Sequence, residues 1–176
     1  MAQRPRGSET VGDAVRSLVA LGGVIAAIVL AFTLMRPDGE GPERVDYGDV
    51  LDHVRSEFPY PVLAPTPVPD GWTATSVENS SARSGNRWRL GFVTDDGEFV
   101  GLEQSDGETE SFVADRLEDF TEDGTSRVNG ATWERWLEAG DHPDRALVHV
   151  QDGVATVVLG TEPYDVLEGF AARLKS

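Results

Sequence analysis

The 18 residues from Leu18 to Met35, LVALGGVIAAIVLAFTLM, contain no charged side chain. As a helix they would extend roughly 27 Å at ~1.5 Å per residue. That is close to the ~30 Å thickness of a hydrocarbon core. Arg16 and Arg36 flank the run, where their long side chains can place a cation at each membrane interface. A buried core helix would carry a polar stripe, and this run is apolar on every side. A cleaved signal peptide has an apolar region of only ~7–15 residues followed by a small-residue cleavage site. Here the run ends in Phe32-Thr33-Leu34-Met35-Arg36. The pattern predicts an uncleaved transmembrane helix over residues 18–35 that holds the chain in a lipid bilayer.

Orientation is harder to read. Arg4, Arg6 and Arg16 precede the run, and Arg36, Arg44 and Arg55 follow it, so the positive-inside rule is balanced. The short tail of residues 1–17 favours a cytoplasmic N-terminus and a single-pass protein of the plasma membrane, with residues 36–176 outside. Gly22/Ala26 and Gly23/Ala27 have the spacing that lets helices approach closely. Small residues are also ordinary in apolar helices, so the oligomeric state stays open.

Charge divides at the same place. Residues 1–17 have a net charge of +1, whereas residues 36–176 hold 12 basic and 29 acidic side chains, a net of -17. A domain this acidic lacks the basic surface that phosphate contacts require, so no nucleic-acid partner is expected. The chain has no cysteine. Disulfides, thiolate metal sites and cysteine nucleophiles are therefore excluded. Part of the acidity is turn chemistry. Asp-Gly occurs six times, at Asp38, Asp70, Asp96, Asp106, Asp123 and Asp152. Asp accepts local backbone hydrogen bonds, and Gly supplies positive φ.

Residues 36–70 read as a stalk. Val50, Leu51, Val54 and Phe58 share one helical face, and Pro59 stops the helix. Asp46 is the candidate N-cap. Pro65, Pro67 and Pro69 then impose an extended path up to Asp70-Gly71.

From residue 71 the pattern is mostly period two. Trp88, Leu90 and Phe92 alternate with Arg87, Arg89 and Gly91, and Val100 and Leu102 share one face of the next strand. Asp96-Gly97, Asp152-Gly153 and Asn129-Gly130 read as hairpin turns. Two helices interrupt the strands. Phe112, Val113, Leu117 and Phe120 stripe the first, and Val166, Leu167, Phe170, Ala171 and Leu174 stripe the second, with Thr161 as its cap. Arg173 and Lys175 are expected in the last turn of the second helix. The expectation is an α+β domain over residues 71–176, an antiparallel sheet with two helices packed on it, built from two half-domains. Trp133 and Trp136 are three apart, so one straight strand turns them to opposite faces. Trp136 is thus a candidate partner or ligand contact.

The combination of an N-terminal anchor, LAPTPVPDGW, WRLGFVTDDGEFVGLEQS, WERW, ALVHVQDGVATVVLGT and a closing AARLKS resembles the actinobacterial membrane-anchored domain of unknown function 4245 family. Fourteen of the fifteen basic residues are Arg, which fits a GC-rich genome. The resemblance implies a single-pass protein with an extracytoplasmic domain. It implies no activity, no cofactor and no catalytic residues.

The residues themselves assemble no catalytic set. Nucleophile elbows, zinc-binding helices and phosphate-binding Gly loops are missing from the sequence. His53 belongs to the stalk helix and His149 to a strand. Asp141, His142 and Asp144 lie close together, but their spacing matches no metal signature and Pro143 breaks it. Asp95, Asp96 and Glu98 surround a turn, where exposed carboxylates rarely gain the raised pKa of a general acid. Glu103 and Glu134 lie on strands without a visible partner. Asn79-Ser80-Ser81 matches a glycosylation sequon, a three-residue pattern of low specificity. Arg83, Arg87 and Arg89 form the densest basic cluster of the acidic domain, within or beside an expected hairpin loop. They are the candidate contact for an anionic envelope polymer, a lipid head group or an acidic protein. The leading expectation is a non-enzymatic domain that binds a partner protein or envelope component. An envelope hydrolase using paired carboxylates is the alternative.

Overall fold

The computed structural model describes residues 43–176. The expected tail at 1–17, the expected transmembrane helix at 18–35, and Arg16 and Arg36 lie outside the described residues. Among the described residues no helix is long and apolar enough to cross a membrane.

Three helices and nine strands follow in the order α1 (Gly48–Glu57), β1 (Ala64–Pro65), β2 (Thr73–Ala82), β3 (Gly85–Val93), β4 (Phe99–Ser105), α2 (Thr109–Arg116), β5 (Phe120–Val128), β6 (Ala131–Glu138), β7 (Arg145–Gln151), β8 (Val154–Gly160), α3 (Tyr164–Ala171) and β9 (Leu174–Lys175). Seven strands form one antiparallel sheet in the order β2-β3-β4-β8-β7-β6-β5. Two meanders, β2-β3-β4 and β5-β6-β7-β8, meet where Leu102 stands opposite Val158. Trp88, Leu90 and Phe92 are fully buried, as their alternation demands.

The sheet is covered on both faces. On the first face α1 contributes Leu51 and Val54, and α3 contributes Leu167, Phe170 and Ala171. Trp72 stacks on Phe170 at 5.4 Å, and Phe92 meets the same ring edge-on. On the second face Phe112 and Leu117 of the α2 region pack on Ala146, Val148, Ala155, Val157 and Leu159. This explains why β8 reads as a continuous apolar run.

Several expectations change. Among the described residues the domain has three helices, not two, and the additional one is α1, the helix expected in a stalk. Residues 42–176 form one compact unit. Phe58, Tyr60, Val62 and Ala64 join Leu51 and Val54 in the core. The proline-rich segment is therefore a wall of the domain. Its extended path exposes backbone groups that the sheet satisfies. The Leu63 N–H donates to Gln104 Oε1 at 2.7 Å, and Trp88 Nε1 donates to the Leu63 carbonyl at 3.0 Å. Ala64 then pairs with Lys175.

The two helices that follow the meanders, α2 and α3, also lie on opposite faces. A two-fold axis through the sheet centre would place both on one face, so the two meanders are not related that way. Phe120 starts β5 rather than ending a helix, and Asp123-Gly124 is not a turn. The pairing of β5 with β6 shifts between Glu122 and Thr125, which makes the pair a bulge, with Gly124 at φ 89°. Residues 73–82, not counted among the strands, form β2. Thr161 does not cap α3; it hydrogen-bonds the Phe99 N–H and Glu98. Arg173 and Lys175 lie beyond the last turn of α3, which holds no basic residue.

Candidate functional site

Arg83, Arg87 and Arg89 sit on one hairpin. Residues 83–84 are the tip between β2 and β3, and Arg87 and Arg89 project from the second face of β3. The tip is held against the turn that enters α2. Asp106 accepts from the Asn86 backbone N–H at 2.5 Å and from Asn86 Nδ2 at 2.8 Å. Gly85, at φ 118°, and Gly107 allow the two backbones to cross, because a Cβ on Gly107 would collide with the Ser84 carbonyl.

This crossing closes one end of an open groove of about 730 Å³, whose walls include Arg83, Arg87, Ser111 and Phe112. A smaller recess of about 240 Å³ continues past Arg87 and Phe112 to Glu78, Ser80 and Arg89. The three arginines differ within it. Arg89 is neutralised by Glu103 at 3.2 Å and Glu78 at 3.7 Å. Glu103 also takes Arg116 at 2.8 Å, so this largely buried carboxylate is held by two cations. The Arg87 guanidinium lies over the Phe112 ring, 5.3 Å from its centroid. Among the described residues Arg83 and Arg87 make neither an ion pair nor a side-chain hydrogen bond. The lining also carries Asp106, Glu108 and Asp115. The groove is thus a mixed-charge surface with two uncommitted cations beside an aromatic ring.

Trp136 is not part of it. It lies on β6, at the other side of the sheet, half-buried against the cluster under α2. Its indole N–H donates to Glu134 Oε2 at 3.4 Å, and its carbonyl accepts from the Tyr164 hydroxyl at 3.0 Å. Trp133 takes the core face and stacks on His149 at 5.1 Å.

The remaining polar clusters do other work. Asp141 and His142 line a shallow pocket with Glu98, Arg145 and Thr161. Among the described residues no three His, Asp or Glu side chains are placed to hold a metal ion. Burial, with the Glu138 carboxylate beside it, pushes the Asp144 carboxyl above its ordinary value, and Arg116 partly opposes this. Ser126 donates to Glu168 Oε1 at 2.6 Å, while Arg135 donates to both Ser126 Oγ and Glu168 Oε1 at 2.5 Å. The Ser126 hydrogen bond, with help from Arg135, holds the Glu168 carboxyl below its ordinary range. A carboxylate so stabilised is a weak base, and the trio ties α3 to β5 and β6 instead of activating Ser126. The Arg135 guanidinium also covers the Tyr164 ring at 4.6 Å.

The Arg cluster was visible in the sequence, but its division into one spent and two free cations was not. Glu78 and Glu103 neutralise Arg89 only because β2 and β4 pair on either side of β3. Glu103 and Arg116 are 13 positions apart, a spacing with no helical or strand meaning of its own.

What this fold and groove define is a β-rich domain with a surface recess. The chain belongs to the family described as a protein of unknown function (DUF4245), whose model matches residues 6–174. No curated protein matches it.

Proposed function

We propose that this chain is a single-pass plasma-membrane protein, anchored by residues 18–35, whose acidic extracytoplasmic domain binds a partner protein or envelope component through the groove at Arg83 and Arg87. The observation that carries this reading is the state of those two arginines. Arg89 and Arg116 on this face are each paired with Glu103, and Arg135 on the other face of the sheet is paired with Glu168. Among the described residues Arg83 and Arg87 are left unpaired in one groove, with Arg87 over the Phe112 ring. Unpaired cations next to an aromatic ring are common anchor chemistry at interfaces. The apolar run from Leu18 to Met35 supports the anchor.

Tagged full chain, expressed in a host membrane, tests both parts. It is expected to resist alkaline extraction, and external protease is expected to remove the domain from intact cells. Release by alkali, or protection from protease, refutes the anchor or its orientation. Full-length protein should retain envelope material that an Arg83→Ala/Arg87→Ala variant does not. Equal retention by both refutes the groove.

One observation favours hydrolysis as a second reading, the raised Asp144 carboxyl beside Glu138. The Asp144 N–H donates to Glu138 Oε2 at 3.3 Å. A carboxyl with a raised pKa close to a second carboxylate is an arrangement that glycosidase chemistry uses. Hydrolysis of envelope glycan that is lost in both Asp144→Asn and Glu138→Gln would establish it.

A further inference from the structure

The sheet has two lateral edges, and they are built differently. β5 carries a bulge and the exposed charges Glu122, Asp123 and Arg127. Such features keep other strands away. Along its upper part β2 has no bulge and a single charge. From Ser76 to Ala82 it pairs with β3 residue for residue. That stretch holds no proline, lysine or arginine, and its one charge, Glu78, faces Arg89. Lower down, the Val45 N–H donates to the Ala74 carbonyl at 2.8 Å and covers the edge there. Among the described residues nothing pairs with the outer side of Ser76–Ala82.

The open edge adjoins the groove. Glu78, Asn79 and Ser80 line the recess that contains Arg87 and Phe112. Ser80 stands opposite Arg87 in the ladder, and its short side chain leaves room above it. A side chain on a strand added outside β2, level with Ser80, would meet the Arg87 guanidinium across that gap.

We infer that the β2 edge accepts an extended peptide segment of a partner protein as an eighth strand, with an acidic side chain of the peptide beside Ser80 pairing with Arg87. This rests on the groove reading above and names the kind of partner. Strand addition supplies backbone hydrogen bonds whatever the peptide sequence, and the side chains on one face choose the register. Charge narrows the occupant. A second copy would bring together two segments of net charge -17 each. A polymer of repeated negative charge would meet Asp106, Glu108 and Asp115 in the lining of the groove. A peptide with a single acidic residue in an otherwise neutral strand satisfies the free cation without either conflict.

The test uses full-length protein in detergent micelles and a displayed library of random decapeptides. Enriched peptides are synthesised, and amide deuterium exchange is followed with and without each one. The expected result is enrichment of alternating, strand-like sequences containing an acidic residue. Binding should slow exchange across residues 76–82 by about tenfold or more and leave β5 unchanged. Arg87→Ala should weaken binding by about tenfold, the scale of one charge-assisted contact. No enrichment overturns the inference. So does full protection of residues 76–82 in the free protein, which would mean the edge is already occupied. Peptides that depend on Arg83 and Arg87 but leave β2 exchange unchanged refute strand addition and leave the groove standing. Peptides that protect β2 but ignore both arginine changes refute the groove, and the acidic contact with it.

Discussion

Gln104 holds the proline-rich segment to the sheet, and replacing it by Leu measures how much that attachment is worth. Its side chain is 2% exposed. Oε1 accepts from the Leu63 N–H at 2.7 Å, and Nε2 donates to Thr156 Oγ1 at 3.2 Å and to the Pro61 carbonyl at 3.4 Å. Leu has nearly the same volume, so Gln104→Leu leaves little cavity. It does leave the Leu63 N–H without an acceptor and removes a partner of Thr156. An unpaired buried N–H costs about 1–3 kcal/mol, and a lost neutral hydrogen bond about 1 kcal/mol. The Pro61 contact is long and adds little. Burial of extra apolar surface by Leu offsets part of this, so a net loss of about 2–3 kcal/mol is expected. With a urea m-value of about 1–3 kcal/mol/M, the unfolding midpoint should fall by about 1–2 M. Thr156→Val isolates the smaller contribution and should cost about 0.5–1.5 kcal/mol. Urea titration followed by tryptophan fluorescence reads both. If Gln104→Leu lies within about 0.5 kcal/mol of the wild type, the segment is not held by this network and the reasoning fails.

Val54 on α1 is 1% exposed, so Val54→Ala should destabilise by about 1–2 kcal/mol after allowing for the better helix propensity of Ala. A free stalk helix would instead be indifferent or slightly stabilised, and thermal melting separates the two. Glu168 has a lowered pKa, so its contribution is present above its ordinary value of 4.5 and is lost as pH falls through the folded value. Wild-type stability should therefore drop more steeply below about pH 4.5 than that of Glu168→Gln, measured by urea midpoints from pH 6 to 3. Parallel curves would show that the trio is not coupled to folding. Gly107→Ala should cost about 1–3 kcal/mol and loosen the β2–β3 tip, because its Cβ meets the Ser84 carbonyl. Unchanged exchange at residues 83–86 would contradict that contact.

Period-two alternation located β3 and β4, where alternate side chains meet the core, and the Asp152-Gly153 turn located β7 and β8. Alternation failed for β2, whose outer half reads ENSSA. An edge strand covered by few side chains has no need of a pattern. The proline-rich segment was misread for a related reason. The chain is extended at Ala64-Pro65 but bends at the cis Thr66–Pro67 bond instead of following the extended path expected of Pro65, Pro67 and Pro69, and local stiffness says nothing of whether Gln104, 41 positions from Leu63, supplies hydrogen bonds to the segment. Asp123-Gly124 has turn chemistry and became a bulge, since positive φ at Gly124 serves either geometry. The arginine cluster was legible as a cluster. The ion pairs that leave Arg83 and Arg87 uncommitted come from strand register, which no single segment encodes.

The pairing of Ala64 with Lys175 also sets an order of events. Arg55 of α1 donates to the Val62 carbonyl and, across 120 positions, to the Lys175 carbonyl. The earliest wall of the domain is therefore clasped by its final strand. During vectorial synthesis the two meanders can form from neighbouring segments as they emerge. The wall built by residues 48–65 can meet β3 and β4 earlier through Trp88 and Gln104, but its clasp at Ala64 and Arg55 waits until residue 175 has appeared. Non-local contacts of this kind form late because their loop entropy comes first. Until then Trp88 and Phe92 lack part of their cover, and the nascent domain presents an apolar face to whatever surrounds it.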